Sequence, residues 1–115
     1  MKANSVSDLV RVHHIVDATK EALSFIEGKT RNDLDSDRML VLALLKELEL
    51  IGEAASKLSH EFRENHSEIP WALLIATRNR LIHGYFDINL DIVWITISRD
   101  LREHLVNIQN LIEII

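Results

Sequence analysis

Arg78, Asn79, Arg80 and His83 gather phosphate-reading and proton-transferring side chains into six consecutive positions, with Gly84 and Tyr85 directly after them. A guanidinium can hold a phosphate through two parallel charge-assisted hydrogen bonds, and an imidazole titrates near neutral pH. An R-x4-H pair therefore has the parts for phosphodiester chemistry. Five residues turn an ideal helix about 140° past a full circle, so Arg78 and His83 would flank a groove rather than touch, whereas Asn79 and His83 share a face. Gly84 suits the position just past a helix C-terminus, where glycine accepts the left-handed conformation. The spacing thus predicts His83 in a last turn and Tyr85 just outside it. The negative helix end favours the imidazolium, which helps a general acid and slightly handicaps a general base. By spacing alone, the same two residues equally describe a surface cation and a C-terminal dipole partner.

The elements that must position this run read as all-α. Three glycines, one proline and no alternating β-branched run leave no strand signal. A first helix is predicted from Ser7, as N-cap, to a stop at Gly28, with Leu9, Val12, Val16, Leu23 and Ile26 at helical spacing. After a polar connection from Lys29 to Ser36, a second helix spans Asp37 to Leu58 on a seam of Val41, Leu44, Leu48, Ile51, Ala55 and Leu58. Leu40, Leu42, Leu45 and Leu50 lie off that seam, which places the helix either at the centre of the bundle or against a partner subunit. Ser59 to Ser67 is a short charged segment with room for a helical turn. Pro70 fits the first turn of a third helix that ends near His83. Asp87 or Asn89 caps a fourth, where Leu90, Trp94, Ile97, Leu101, His104, Ile108, Leu111 and Ile115 repeat every three or four residues as one packing seam. Long helices on short loops give an up-and-down bundle of four helices, or five if the Ser59 to Ser67 segment is helical.

Ile69-Pro70-Trp71, followed by the run from Arg78 to Tyr85, resembles the signature of HepT-like toxins, a branch of the HEPN superfamily. The R-x4-H-x-Y pattern is matched at every position. The likeness extends upstream to Leu50-Ile51-Gly52-Glu53-Ala54-Ala55 and Leu58-Ser59, and downstream to Leu90, Val93 and Trp94, so it covers nearly the whole chain as a single HEPN-like domain over residues 1–115. The resemblance implies a homodimeric, metal-independent ribonuclease acting as the toxin of a toxin–antitoxin pair, with RNA (tRNA or mRNA) as substrate. It also implies a cognate MntA-type nucleotidyltransferase as antitoxin. Carried over by position, Arg78 and His83 become the catalytic pair, Asn79 and Arg80 supporting RNA contacts, and Tyr85 the tyrosine that receives AMP. A noncatalytic helical partner that presents substrate to a nucleotidyltransferase is the alternative, and such a scaffold does not need the Arg78/His83 pair.

Composition narrows the remaining classes. The chain has 115 residues, 47% of them hydrophobic, which suffices for a core but is short for a deep enclosed active site, so a site between subunits is attractive. No cysteine is present, which removes disulfide frameworks, thiolate nucleophiles and zinc–thiolate clusters and agrees with a reducing cytoplasm. No secretory leader or membrane-length apolar run is read. Thirteen basic against eighteen acidic residues give a net charge of −5, so RNA binding must be local, through Arg78, Arg80 and His83, with Arg63 and Lys57 as neighbouring candidates.

The six histidines, His13, His14, His60, His66, His83 and His104, lack metal-ligand spacing, and no metal or other cofactor is expected. His104, on the fourth-helix seam, reads as a hydrogen-bonded packing histidine. Glu47, Glu49 and Glu53 read either as carboxylates orienting the motif or as a solvated face with ion-pair partners. Trp71 is a candidate for base stacking, and Trp94, on the seam, reads as core. No nucleophile elbow, phosphate loop or dinucleotide fingerprint is present.

Overall fold

The computed structural model describes the backbone of residues 6–82 and 88–114, and the side chains of 7–77 and 88–114. Its order is α1 (Val6–Phe25), α2 (Asp33–Ser36), α3 (Arg38–Ser56), α4 (His60–Asn65), α5 (Trp71–Ile82), α6 (Leu90–Ile95), a π-helical segment (Thr96–Leu101) and α7 (Arg102–Ile114). No strand occurs among the described residues, and the all-α expectation holds.

Short polar side chains set the helix starts. Asp37 accepts from the Leu40 N–H at 3.0 Å and opens α3; Asn89, rather than Asp87, opens α6 by accepting from the Asp91 and Ile92 N–H groups at 3.0 and 3.2 Å. Ser59 caps α4, which makes the charged segment a helix: its hydroxyl accepts from the Phe62 N–H at 3.1 Å. That hydroxyl and the Ser59 N–H both donate to the buried Asp8 carboxylate at 2.8 Å, tying α1 to the start of α4. Ser7 is not the first cap, because α1 already includes Val6. The first helix closes at Phe25, and Gly28, at φ +74°, turns the chain beyond it. Pro70 stands just before α5 rather than within it; its carbonyl accepts from the Leu73 and Leu74 N–H groups.

α3 lies between α1 and α5, its most extensive partners. Leu44, Leu48, Ile51 and Ala55 of the expected seam are buried, and so are Leu40 and Leu45, which settles the surplus of apolar residues mainly in favour of a central position. Only Leu42 and Leu50 among the four off-seam leucines reach solvent, each 44% exposed. Around α3 the core is filled by Val12, Ile15 and Ala22 of α1, Leu74 of α5, Phe62 of α4 and Ile97, Leu101 and Ile108 of the last helix.

The expected continuous fourth helix is broken in its hydrogen bonding, though not in its path. Six residues, Thr96 to Leu101, adopt the wider π pattern between two α-helical halves. Val93 of α6 lies beside Leu48 and Leu74, whereas α7 packs along α1. The wider turn rotates less per residue, so a seam that looks straight in sequence serves two different neighbours.

Candidate active site

The motif begins on α5, and the sequence dictates how that helix is held. Trp71 is buried and donates its indole N–H to the His66 carbonyl at 3.0 Å, with its ring centroid 6.1 Å from that of Phe62. It is an anchor for the helix start and is not available to stack a base. Leu74 is buried against α3 and Ile75 half-buried, so the helix is fixed along one side up to the turn that carries Arg78, Asn79 and Arg80. These three belong to α5. His83, Gly84 and Tyr85, with the expected glycine stop and the alternative cap Asp87, lie outside the described residues.

The cavity nearest the motif in the chain lies beside α5. It has a volume of about 240 Å³ and runs along Leu73, Leu74 and Thr77, the residue before Arg78; its opposite wall is Ile92, Ile95 and the π segment. Thr96, Arg99 and Asp100 put polar groups on that wall, and Arg99 Nε donates to Asp100 at 3.0 Å. π turns are often found at functional sites, and here the turn forms the side of a groove facing the motif helix. Sequence reasoning missed Thr77, Thr96 and Arg99, because none of them stands out by type. His104 also lines the groove, and its Nε2 is buried without a hydrogen-bond partner, so it is not the satisfied packing histidine expected from the seam. Trp94 is half-buried against the core, short of a full core position.

Two neighbouring candidates fall elsewhere. Lys57 stands 3.4 Å from Glu53 and lines a pocket between α1 and α3, so it does not extend the basic zone of the motif. Arg63 is on α4 and lines a shallow cavity with Trp71 and Ala72, at the opposite end of α5 from Arg78.

The glutamates divide. Glu49 approaches Lys46 at 4.0 Å, an exposed pair of small energetic weight. Glu47 is buried on the α1 side and shares a pocket wall with Glu21. Burial, and then the proximity of the Glu21 carboxyl, push its pKa up to about 7. Among the described residues, no group of His, Asp or Glu has the convergence needed to hold a metal ion, and no helix is long and apolar enough to cross a membrane.

A remote tie fixes the other side of the groove. Arg31, in the turn before α2, hydrogen-bonds Asp35 and reaches across to Asp91 in the first turn of α6; the Asp35 and then the Asp91 hydrogen bonds raise the guanidinium pKa.

The fold and site together define a small all-α protein in which α3 supports α5, the helix that carries Arg78, Asn79 and Arg80, beside a groove. Residues 15–112 match the profile described as Ribonuclease HepT-like. The chain belongs to that ribonuclease family. A protein of Caldanaerobacter subterraneus subsp. tengcongensis bearing an RNase name is 37% identical over 92 residues, covering 80% of this chain and 82% of the relative. One from Thermococcus cleftensis, bearing the name ribonuclease HepT, is 35% identical over 85 residues, covering 70% of this chain and 77% of its own length. A third, from Methanocaldococcus jannaschii and also bearing an RNase name, is 29% identical over 89 residues, with 77% and 82% covered. No solved structure gives a significant match.

Proposed function

We propose that this chain is the toxin of a HepT/MntA-type pair: a metal-independent endoribonuclease that cleaves RNA with Arg78 and His83 and is silenced when AMP is attached to Tyr85. The observation that carries this reading is the intact R-x4-H-x-Y run in a member of the ribonuclease HepT-like family.

The chemistry needs only what the RNA and the two side chains supply. The 2′-hydroxyl oxygen attacks the adjacent phosphorus as its proton is taken by a base. The bond to the 5′-oxygen breaks, and the leaving oxygen receives a proton from an acid, giving a 2′,3′-cyclic phosphate and a 5′-hydroxyl. Arg78 stabilises the charge gathered on the phosphorane oxygens, and Asn79 and Arg80 hold the flanking backbone. One His83 per chain supplies either the acid or the base, so two motifs meeting across a twofold axis complete the set. Leu73, Ile92 and Ile95, each 40–50% exposed around the groove beside α5, form the apolar surface suited to that homodimer.

His83→Ala and Arg78→Ala should each lower cleavage of a defined RNA by about 10²- to 10⁴-fold, abolish growth inhibition, and leave helicity and melting unchanged. EDTA should not affect the wild-type rate; chelator-sensitive cleavage that survives in His83→Ala would defeat the assignment. Light scattering should give a dimer, and a fully active monomer would remove the composite site.

An AMP group on Tyr85 would set a bulky anion where RNA phosphate must enter. Tyr85→Phe should therefore keep nuclease activity but resist neutralisation by the cognate nucleotidyltransferase and ATP. Intact mass should show AMP additions on the wild type and none on Tyr85→Phe.

A further inference from the structure

The pocket between α1 and α3 has no part in the chemistry above. Its volume is about 380 Å³, and it is walled by Arg11, His14, Asp17 and Glu21 from α1, by Glu47 and Glu53 from α3, and by Lys57 just past its end. Four carboxylates meet two permanent cations there, and one of those, Lys57, is already engaged by Glu53 at 3.4 Å. An anion has no place in such a wall.

Glu47 gives the pocket its specificity. It is only 3% exposed, its Oε2 has no hydrogen-bond partner among the described residues, and Glu21 stands on the same pocket wall. Burial, and then the neighbouring Glu21, raises the pKa of Glu47, so this carboxyl keeps a proton where no counter-charge reaches it. The proton is the smallest counter-charge that can occupy the position; a ligand cation with N–H donors can replace it and also satisfy the free oxygen. Arg11 lines the same pocket with its Nε unpartnered, and its charge disfavours a compact dication relative to a singly charged head. Ala18, Leu50 and Ala54 supply an apolar surface next to the acids, so the head must come on an aliphatic stem.

We propose that this pocket binds a primary alkylammonium group, its N–H donors shared by Glu47 and Glu21 and its methylene stem laid against Leu50. The group can be carried by a free amine or by a lysine side chain of a docked protein, and the two sources bind through the same chemistry.

Titration calorimetry on the full chain, with cadaverine and separately with Nα-acetyl-lysine amide, tests this. Runs at about pH 6 and about pH 8.5, in buffers of different ionisation enthalpy, count the protons exchanged. Saturable binding should release a proton from Glu47 at the lower pH and none at the higher. Tetramethylammonium, which has no N–H donor, should bind at least about tenfold more weakly. His14 lines the same pocket, so Glu47→Gln is the control for the proton count: it should abolish the release and weaken binding by about tenfold or more. Glu21→Gln, at an exposed position, should weaken binding several-fold without touching the core. Tighter cadaverine binding assigns the site to a free amine, and tighter binding of the lysine derivative assigns it to a protein lysine. No saturation at millimolar amine, or equal affinity in wild type and Glu47→Gln, overturns the proposal. RNA cleavage is read in the same samples, so failure of the amine site and failure of the nuclease reading are separate results.

Discussion

The two sides of α3 are built differently. Toward α5 it presents Leu48 to a groove with polar groups on its far wall, next to the helix that carries the motif; toward α1 it buries a carboxyl, Glu47, against another acid. The motif side carries Arg78, Asn79 and Arg80 on α5, a helix held by the buried Trp71 and Leu74. The α1 side places an ionisable group inside the bundle, where its protonation is linked to folding. Chemistry on this small scaffold can thus be added beyond the core at little structural risk, or within it, where stability depends on pH.

The largest expected effect falls on the element that both sides share. Leu44 is fully buried, and Leu44→Ala should destabilise the chain by about 2–5 kcal/mol in urea titrations, because it opens a cavity in the helix that packs against both α1 and α5. A loss below about 1 kcal/mol would mean that α3 is not the common support.

The next effect separates the two sides. The folded-state pKa of Glu47, about 7, lies above its ordinary value near 4.5, so the folded chain binds a proton that the unfolded chain has lost. The stabilisation is complete below pH 4.5 and declines as pH rises to about 7, by an amount on the order of 2 kcal/mol. Glu47→Gln, neutral throughout, should match the wild type at about pH 5, exceed it by on the order of 2 kcal/mol at about pH 8, and leave RNA cleavage unchanged. Parallel stability curves for the two proteins would show that Glu47 is ionised in the fold.

The smallest effect sharpens the motif side. Asn89→Ala removes the acceptor for two N–H groups at the start of α6 and should cost about 1 kcal/mol. Because α6 walls the groove beside α5, hydrogen exchange should quicken over residues 90–95 while α1 and α3 stay protected. Uniform loss of protection would mean that α6 does not open on its own.

Much of this was legible from sequence where the signal is local. Asp37, Ser59 and Asn89 announce helix starts by type and position, and Leu44, Leu48, Ile51 and Ala55 announce the core by period. The motif residues announce themselves by their chemistry, although the half of the run that includes His83 and Tyr85 lies outside the described residues. The Glu47–Glu21 pair was not legible, because its partner lies on another helix and spacing along α3 cannot reveal it. Trp71 misled for a related reason: an aromatic beside a motif suggests stacking, while its indole N–H had already found the His66 carbonyl. The π segment was hidden because its apolar residues also fit an uninterrupted α-helix.

That segment makes residue count a structural variable in its own right. One residue is worth about 100° of rotation in an α-helix and less in the wider turn, so relaxation of Thr96 to Leu101 to α geometry with all six residues kept would swing Ile108 and Leu111 away from the contacts they now bury, whereas losing one position along with it would restore the phase. The number of residues in that turn and its wider geometry are therefore set together. The last helix works as a phase adjuster, letting one chain segment keep its first half on the groove and its second half on α1.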